Sequence, residues 1–433
     1  MEKLLKSPSL GGKIKAISSK SMAHRLLICA AFADRESYIV CEDTNNDICA
    51  TADCLCALGA DIERVGDTFR VSPIKNVTDG ASLDCKESGS TLRFLLPIAS
   101  AIGANAQFVM SGRLPERPLS PLFEELEQNG MYLSPQGTNP LLTSGCLRHG
   151  DYSIKANVSS QFISGLMFAL PLIHKFDGVP TDDDTLSTLA LLGDVESAPY
   201  IDMTLDALSE YGVRFENGYA NFDAGETLKY VIPSNMNFAS PGTLKVEGDW
   251  SNAAFWLAAG AIGKNKITVT SLNTRSHQGD MAILKLLERF GADVTESGDH
   301  ITVSPRKLHG IRIDASQIPD LVPILAVVAS VSEGETVIYG ASRLRIKESD
   351  RLASVTDMLS ALGADISQTN DGLIIHGKPR LEGGNVHACN DHRIAMAAAV
   401  ASTVCNGDVS ITDAQAVSKS YPKFWEDFER LSQ

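Results

Sequence analysis

One pattern recurs along the chain: apolar residues spaced as on one face of a helix, then a glycine, then a short alternating run of apolar and polar residues. The copies read CLCALGADIERV, LEQNGMYL, LSEYGVRF, LLERFGADVTE and MLSALGADISQ. Glycine just past a helix end adopts the left-handed conformation without steric cost. Each copy therefore predicts a helix that stops near its glycine and runs into a strand. These glycines are Gly59, Gly130, Gly212, Gly291 and Gly363.

A second pattern alternates with the first and consists of small apolar residues on every face of a helix that opens on a polar cap. Its copies are SSKSMAHRLLICAAFA, ESGSTLRFLLPIASAI, SSQFISGLMFALPLI, DWSNAAFWLAAGAI, SQIPDLVPILAVVASV and NDHRIAMAAAVASTV. A helix that is apolar all round is buried. The copies recur about every 70 residues, so six repeats account for nearly the whole chain. Their predicted starts are Lys20, Gly89, Ser160, Trp250, Pro319 and Asp391.

The interval between Ser160 and Trp250 is longer than the others and divides the repeats three and three. It contains the loop-like segment PSNMNFASPGT at residues 233–243, where we place the crossover between two α/β domains. Residues 1–19 offer strand-like pieces with no helix before them, and the last repeat ends on a helix without a strand. The predicted domains are residues 20–238, and residues 239–433 completed by residues 1–19.

Composition excludes several classes of function. With 433 residues and 44% hydrophobic content, the chain can bury a large core. Its net charge of −15, without a basic block, argues against a nucleic-acid partner, whose phosphates need a cationic face. No apolar run is long enough to span a membrane, and no secretory apolar region is visible, so we expect a cytoplasmic protein. The nine cysteines form no CxxC or Cys/His cluster, which predicts reduced thiols and no metal site.

The polar residues concentrate at the starts of the predicted buried helices. There the first N–H groups lack partners and the helix dipole contributes about half a positive charge, so these ends favour anions. If the six helices converge, six such ends face one cleft, which would be positive within an acidic protein. Taken singly, each cap also has an ordinary structural interpretation as a helix cap or a solvated surface charge.

The stretch RLRIKESDRL, residues 343–352, sets four cations among two acids. A solvated helix face with ion pairs four residues apart would explain it. A site for small anions that also needs a carboxyl group for proton transfer would explain it as well. The position of this stretch beside the predicted helix starts favours the second interpretation.

Six motifs in order, SKSMAHR, SGSTLR, LPERPL, SSQF, RIKESDR and NDHR, resemble the 5-enolpyruvylshikimate-3-phosphate synthase family along essentially the full chain. The resemblance implies a two-domain inside-out α/β barrel of six βαβαββ units, three per domain, around buried parallel helices. It also implies transfer of the enolpyruvyl group of phosphoenolpyruvate to the 5-hydroxyl of shikimate 3-phosphate, releasing phosphate, in chorismate and aromatic amino-acid biosynthesis. No cofactor or metal is implied, and we expect a monomer whose domains close on the substrates.

The resemblance also implies roles for individual residues. Those implied for shikimate 3-phosphate are Lys20, Ser21, Arg25, Ser159, Ser160, Gln161, Ser197, Asp320 and Lys347. Those implied for phosphoenolpyruvate are Lys20, Gly89, Arg117, Gln161, Arg351, Arg393 and Lys419. The reaction is an addition followed by an elimination, so it needs groups that give and take protons. The implied catalytic residues are Lys20, Asp320 and Glu348.

Four positions depart from the family's usual residues: Glu87, Ser90, Phe94 and Arg343. The first three surround Gly89, where the family's inhibitor glyphosate competes with phosphoenolpyruvate, so sensitivity to it is not predicted. Two alternatives stay open. One is the sister enzyme that transfers enolpyruvyl to UDP-N-acetylglucosamine, although its usual loop cysteine has no counterpart in GRLPERPLSPLF. The other is a non-catalytic repeat protein that only binds anions.

Overall fold

The computed structural model describes residues 1–179, 185–222 and 225–432. The α-helices are α1 (Lys20–Ala31), α2 (Asn46–Leu58), α3 (Gly89–Ala101), α4 (Leu122–Gln128), α5 (Ser160–Ala169), α6 (Ala198–Glu210), α7 (Trp250–Ile262), α8 (Ile283–Phe290), α9 (Val322–Ser330), α10 (Arg351–Ala361), α11 (His392–Ala401) and α12 (Phe424–Leu431). Short 3-10 helices lie at Leu114–Glu116, Leu170–Leu172, Gly279–Ala282, Pro319–Leu321, Ser342–Ile346, Ser402–Val404 and Ala414–Lys419.

The strands are β1 (Glu2–Leu5), β2 (Gly12–Lys15), β3 (Ser37–Val40), β4 (Asp61–Val65), β5 (Thr68–Ser72), β6 (Ser82–Asp84), β7 (Gln107–Val109), β8 (Met131–Leu133), β9 (Leu141–Gly145), β10 (Asp151–Lys155), β11 (Leu186–Leu192), β12 (Glu216–Phe222), β13 (Gly225–Pro233), β14 (Thr243–Lys245), β15 (Ile267–Thr270), β16 (Asp293–Ser297), β17 (His300–Ser304), β18 (Arg312–Asp314), β19 (Glu335–Tyr339), β20 (Asp365–Gln368), β21 (Leu373–His376), β22 (Gly384–His387) and β23 (Val409–Thr412).

The chain divides into two compact units, each with its own hydrophobic core. The first unit is Lys20–Val246, and the second is Met1–Ser19 together with Glu247–Gln433. Within the described residues, the first unit is built on three four-stranded sheets, β14-β3-β5-β4, β6-β7-β9-β8 and β10-β11-β13-β12. The second is built on the sheets β2-β15-β17-β16, β18-β19-β21-β20 and the three-stranded β22-β23-β1.

One pairing scheme repeats in these sheets. In each four-stranded sheet the first two strands are parallel, and the next two pairings are antiparallel, as β6 with β7, β7 with β9 and β9 with β8 show. The three-stranded sheet keeps the parallel pairing of β22 with β23 and one antiparallel pairing, of β23 with β1. A parallel pair requires a crossover, which the buried helices provide. The repeat expected from the sequence is thus present in the strand register.

The boundary between the units differs from the predicted one. Residues 239–246 belong to the first unit, because β14 pairs in parallel with β3 and Val246 donates its N–H to the carbonyl of Val40. Likewise, residues 1–19 belong to the second unit, because β2 pairs in parallel with β15. The chain therefore passes from one unit to the other directly before a buried helix, α1 or α7. It does not do so within the loop at residues 233–243.

The observed helices follow the two patterns predicted from the sequence. All residues of α9 and α11 are buried, as are nearly all of α3, α5 and α7. The predicted glycines after α2, α4, α6, α8 and α10 all have positive φ, between 77° for Gly212 and 118° for Gly59. No helix among the described residues has the length and apolarity needed to cross a bilayer.

Candidate active site

In the first unit the buried helices begin where the sequence predicts, whereas in the second α9 begins at Val322, after a 3-10 turn at the predicted Pro319; the caps carry the candidate residues. In the first unit α1 starts at Lys20, α3 at Gly89 and α5 at Ser160. Ser88 caps α3 by accepting a hydrogen bond from the N–H of Thr91 at 3.3 Å. Because these N-terminal N–H groups and the dipole of each helix favour negative charge, each start is suited to a phosphate or carboxylate group.

Lys20 forms an ion pair with Asp47 in the first unit. Its Nζ lies 2.8 Å from Asp47 Oδ2, and both side chains are mostly buried, at 18% and 15% exposed. Asp47 lies in the first turn of α2, whose cap Asn45 accepts from the N–H of Ile48. Asp47 was not among the residues predicted from the sequence, because nothing in the stretch NNDI indicates a partner 27 residues away.

Gly89 lies directly against Arg117. A Cβ at position 89 would come within 2.8 Å of Arg117 Nη1, so only glycine leaves the guanidinium this close to the start of α3. Gln161, at the start of α5, donates from Nε2 to Ser90 Oγ at 2.9 Å and accepts from Arg93 Nη1 at 2.7 Å. The structure thus brings together the starts of α3 and α5. Arg93 had not been expected to contribute.

A chain of buried side-chain hydrogen bonds ties α1, α2 and α3 together. His24 Nδ1 is 2.7 Å from Thr51 Oγ1, Thr51 Oγ1 is 2.7 Å from Thr91 Oγ1, and the Thr91 hydroxyl donates to Ser88 Oγ at 2.7 Å. Burial, with the nearby charges of Lys20 and Arg25, holds the pKa of His24 well below its usual value, so the ring is neutral. The chain fixes the cap of α3 relative to α1.

Arg25 is buried beneath the helix starts and is held from several sides. Its Nε donates to Thr204 Oγ1 at 2.9 Å, and its Nη groups donate to the carbonyls of Ser21 and Tyr200, each at 2.8 Å. The guanidinium also lies 5.1 Å from the ring centre of Phe94. Burial lowers the pKa of Arg25 to about 10, so it remains a cation at neutral pH.

Two further predicted serines of the first unit lie directly before helices. Ser159 caps α5 by accepting from the N–H of Gln161 at 3.3 Å. Ser197 precedes α6 with a φ of +54°, an unusual conformation for serine that nevertheless places it at the helix N-terminus. Strained backbone of this kind persists only where the surroundings enforce it.

In the second unit, Arg351 is the centre of a carboxylate cluster and is only 1% exposed. Its Nε donates to Asp391 at 2.8 Å, its Nη1 to Asp320 at 2.8 Å and its Nη2 to Glu348 at 2.7 Å. RLRIKESDRL is therefore not a solvated helix face. Arg351 begins α10, and its carboxylate partners come from three separate segments, which explains why the sequence analysis did not link Asp391 to it.

Asp320 lies among cations near the start of α9. Arg393 Nη2 donates to Asp320 Oδ2 at 3.2 Å, and Lys347 Nζ lies 3.9 Å from Oδ1. Burial alone would raise the pKa of Asp320, but the charges of Arg393, Lys347 and Arg351 outweigh it and hold that pKa well below its usual range. Burial lowers the pKa of Lys347 to about 8. Lys419 is buried and donates to the carbonyl of Asn390 at 2.7 Å.

Asp280 is a buried acid that was not predicted from the sequence. It lies in the 3-10 helix Gly279–Ala282, is 1% exposed and accepts a hydrogen bond from the hydroxyl of Ser251 at the start of α7. Among the described residues its Oδ1 has no hydrogen-bond partner. Burial, and then the charge of Asp320, raises the pKa of Asp280 to about 7. One carboxyl of this region is therefore held ionised, while its neighbour gains and loses its proton near neutral pH.

Each unit thus presents fixed cations at the starts of buried helices. In the first unit these are Lys20, Arg25 and Arg117, and in the second Lys347, Arg351, Arg393 and Lys419. Arginine suits bidentate contact with carboxylate or phosphate, and lysine acts as a point charge. The carboxylates of the second unit, Asp320 and Glu348, lie within this cationic environment. An arrangement of this kind can bind small polyanions and exchange protons beside them.

Comparison with known proteins agrees with this chemistry. Residues 5–428 match the sequence model of the EPSP synthase family, described as 3-phosphoshikimate 1-carboxyvinyltransferase. A Clostridium kluyveri protein of that name is 42% identical over 424 residues, covering 98% of this chain and 95% of the relative. A relative of the same name from Clostridium perfringens is 42% identical over 437 residues, covering 100% and 99%.

Two solved structures share the fold. An EPSP synthase from Acinetobacter baumannii has a TM-score of 0.78 at 23% identity, covering 100% of this chain and 98% of that one. The enolpyruvyl transferase NikO from Streptomyces tendae has a TM-score of 0.77 at 18% identity, covering 99% and 97%. These structures confirm the fold class predicted from the sequence.

Proposed function

The chain belongs to the EPSP synthase (3-phosphoshikimate 1-carboxyvinyltransferase) family, and from this premise we propose that it transfers enolpyruvyl from phosphoenolpyruvate to the 5-hydroxyl of shikimate 3-phosphate, releasing phosphate. The observation that carries the proposal is the family match over residues 5–428, which includes all six motifs with their cationic helix starts. The product belongs to the route to chorismate and the aromatic amino acids.

Substrate binding is proposed for the residues at the helix starts. Shikimate 3-phosphate is assigned to Lys20, Ser21, Arg25, Ser159, Ser160, Gln161, Ser197, Asp320 and Lys347, and phosphoenolpyruvate to Lys20, Gly89, Arg117, Gln161, Arg351, Arg393 and Lys419. The contact of Gly89 with Arg117 supports this, because it leaves backbone N–H groups and a guanidinium side by side for one anion. The three carboxylates now bonded to Arg351 must share its donors with the incoming substrate anion.

The chemistry is proposed to proceed by addition and elimination. In the addition, the 5-hydroxyl oxygen bonds to C2 of phosphoenolpyruvate, the hydroxyl proton leaves to a base and the methylene carbon gains a proton. In the elimination, the C2–O bond to phosphate breaks and the methyl group loses a proton, restoring the double bond. The residues proposed to donate and accept these protons are Glu348, Asp320 and Lys20. The low pKa of Asp320 favours an ionised acceptor that orients the hydroxyl.

The acceptor is tested by measuring phosphate release from phosphoenolpyruvate with shikimate 3-phosphate and with UDP-N-acetylglucosamine in parallel. We expect turnover with the first acceptor only. The absence of a cysteine from residues 112–123 favours this outcome over the sister reaction. Turnover with the nucleotide sugar alone, or with neither acceptor, would overturn the proposal. A monomeric state and a cytoplasmic location are further proposals, which sedimentation and cell fractionation can test.

A further inference from the structure

The second unit contains a cavity of about 520 Å³ that the proposed reaction does not use. It lies at the carboxyl ends of α7 and α9 and of the 3-10 helix Ser402–Val404, which follows α11. The candidate active-site residues of this unit lie at the opposite, N-terminal ends of the same helices. Since α7 has 13 residues, the two ends are about 20 Å apart. The cavity is therefore a separate place in the fold.

The lining combines an apolar wall with a basic rim. Ile262, Leu308, Val331 and Val404 supply apolar surface. The charged lining residues are five cations and one acid, namely Lys264, Arg306, Lys307, Lys378, Arg380 and Glu333. In a chain with a net charge of −15, this concentration of positive charge opposes the overall balance.

Two of the five cations are neutralised by acids. Lys307 Nζ lies 2.6 Å from Glu333, and Arg306 Nη2 lies 3.0 Å from Asp293. Within the described residues, Lys264, Lys378 and Arg380 have no carboxylate in ion-pair range. Lys378 Nζ and Arg380 Nη2 donate to backbone carbonyls at 2.6 Å and 2.8 Å.

The ordinary explanation for cations at this place is that they complement the helix dipoles. A helix C-terminus carries about half a negative charge, so three of them contribute about −1.5. The three cations without a carboxylate contribute +3, and a surplus of positive charge of about 1.5 remains. Complementing the dipoles therefore accounts for only about half of this charge. The surplus makes the rim attractive to an anion.

We propose that this cavity binds a small organic anion with an apolar body and one carboxylate, sulfonate or phosphate group. Its volume lies within the range of about 300 to 1,000 Å³ typical of small-molecule sites, and such sites combine apolar walls with a few polar groups. Arg380 offers the planar donor group that grips such an anion, while Lys378 and Lys264 act as point charges. The apolar body packs against Leu308 and Val331.

Isothermal titration calorimetry of the full chain with 1-naphthalenesulfonate tests the site, with 1-naphthalenemethanol as a neutral probe that has the same ring system. We expect one sulfonate per chain, bound more weakly as salt rises, and at least about 10-fold weaker binding of the alcohol. The double variant Lys378→Gln/Arg380→Gln should weaken sulfonate binding at least about 10-fold. Arg70→Gln, which removes an exposed cation from a sheet of the first unit, should leave it unchanged.

Lys264→Glu provides a second test that does not depend on the double variant folding. The Lys264 side chain makes no hydrogen bond or ion pair with the described residues, so the change removes only its favourable interaction with the C-terminus of α7 and should lower the thermal midpoint slightly while still weakening sulfonate binding. The proposal is wrong if neither variant changes the affinity, if the alcohol binds equally well, or if the sulfonate does not bind. It is also wrong if saturating shikimate 3-phosphate displaces the probe, since the probe would then occupy the substrate site.

Discussion

Replacing Asp280 with asparagine should remove a pH-dependent weakness from the second unit. Asp280 is 1% exposed, its Oδ1 has no partner among the described residues, and burial raises its pKa to about 7. Asparagine has nearly the shape of the protonated acid and cannot ionise. The variant therefore isolates the cost of charging this one carboxyl.

The sign and size of this pH dependence follow from the linkage between protonation and folding. The folded chain holds the Asp280 proton more tightly than the unfolded chain, in which the pKa is near 3.8. As the pH rises from 3.8 to about 7, the unfolded chain ionises first, so the free energy of unfolding of the wild type falls. At about 1.4 kcal/mol per pH unit, the full cost is about 4 kcal/mol. Between about pH 5 and about pH 8, the advantage of Asp280→Asn over the wild type should grow by about 2 to 3 kcal/mol.

The assay is urea unfolding followed by tryptophan fluorescence at both pH values. All three tryptophans, Trp250, Trp256 and Trp425, lie in the second unit, so the signal reports on the part that contains Asp280. Ser251→Ala is the matched control: it removes the hydrogen bond that favours the ionised form, and should therefore strengthen the pH dependence. If Asp280→Asn and the wild type lose stability equally between the two pH values, Asp280 is not held protonated and the reasoning fails.

Three further changes test the candidate site. Glu348→Gln should lower turnover by about 10² to 10⁴-fold and slow the entry of deuterium into the methylene group in heavy water, because the amide cannot act as the acid or base. Rates within a few-fold of the wild type would mean that Glu348 does not transfer the proton and has a structural role, as in its ion pair with Arg351. Lys20→Met should abolish most activity and also lower the thermal midpoint, because it leaves the mostly buried Asp47 without its cationic partner; full activity would remove Lys20 from the site. Thr51→Val should lower the free energy of unfolding by about 1 to 3 kcal/mol, because His24 Nδ1 loses its partner while Thr91 keeps Ser88, whereas Thr51→Ser should cost less because it loses only a buried methyl group; equal stability of the two variants would contradict the hydrogen-bond chain.

The sequence predicted those parts of the fold that depend on local patterns. Helix stops could be read because glycine alone enters the left-handed region cheaply, as at Gly59 and Gly291. Starts of the buried helices could be read because a polar cap precedes an apolar run, as at Ser88 before α3. The unit boundary could not be read in this way, because it depends on which sheet accepts β14, a pairing between residues about 200 positions apart.

In the candidate site, too, local features could be predicted and long-range contacts could not. The cations at the helix starts could be predicted because they lie within the motifs themselves. Their partners could not, since Asp47 meets Lys20 and Asp391 meets Arg351 only through the packing of separate helices. Asp280 gave no signal in the sequence, because a buried acid looks like a surface acid until its surroundings are known. Burial and long-range pairing thus mark the limit of what the sequence alone predicts.

The central claim, transfer of enolpyruvyl to one hydroxyl of shikimate 3-phosphate, is tested most directly by identifying the product. The purified chain is incubated with phosphoenolpyruvate and shikimate 3-phosphate, and the mixture is analysed by mass spectrometry and by proton and phosphorus nuclear magnetic resonance. The account predicts an acceptor heavier by one enolpyruvyl group, an enol ether at the 5-hydroxyl and one phosphate released per product. Phosphate released without the ether, or an ether on another hydroxyl, would contradict it.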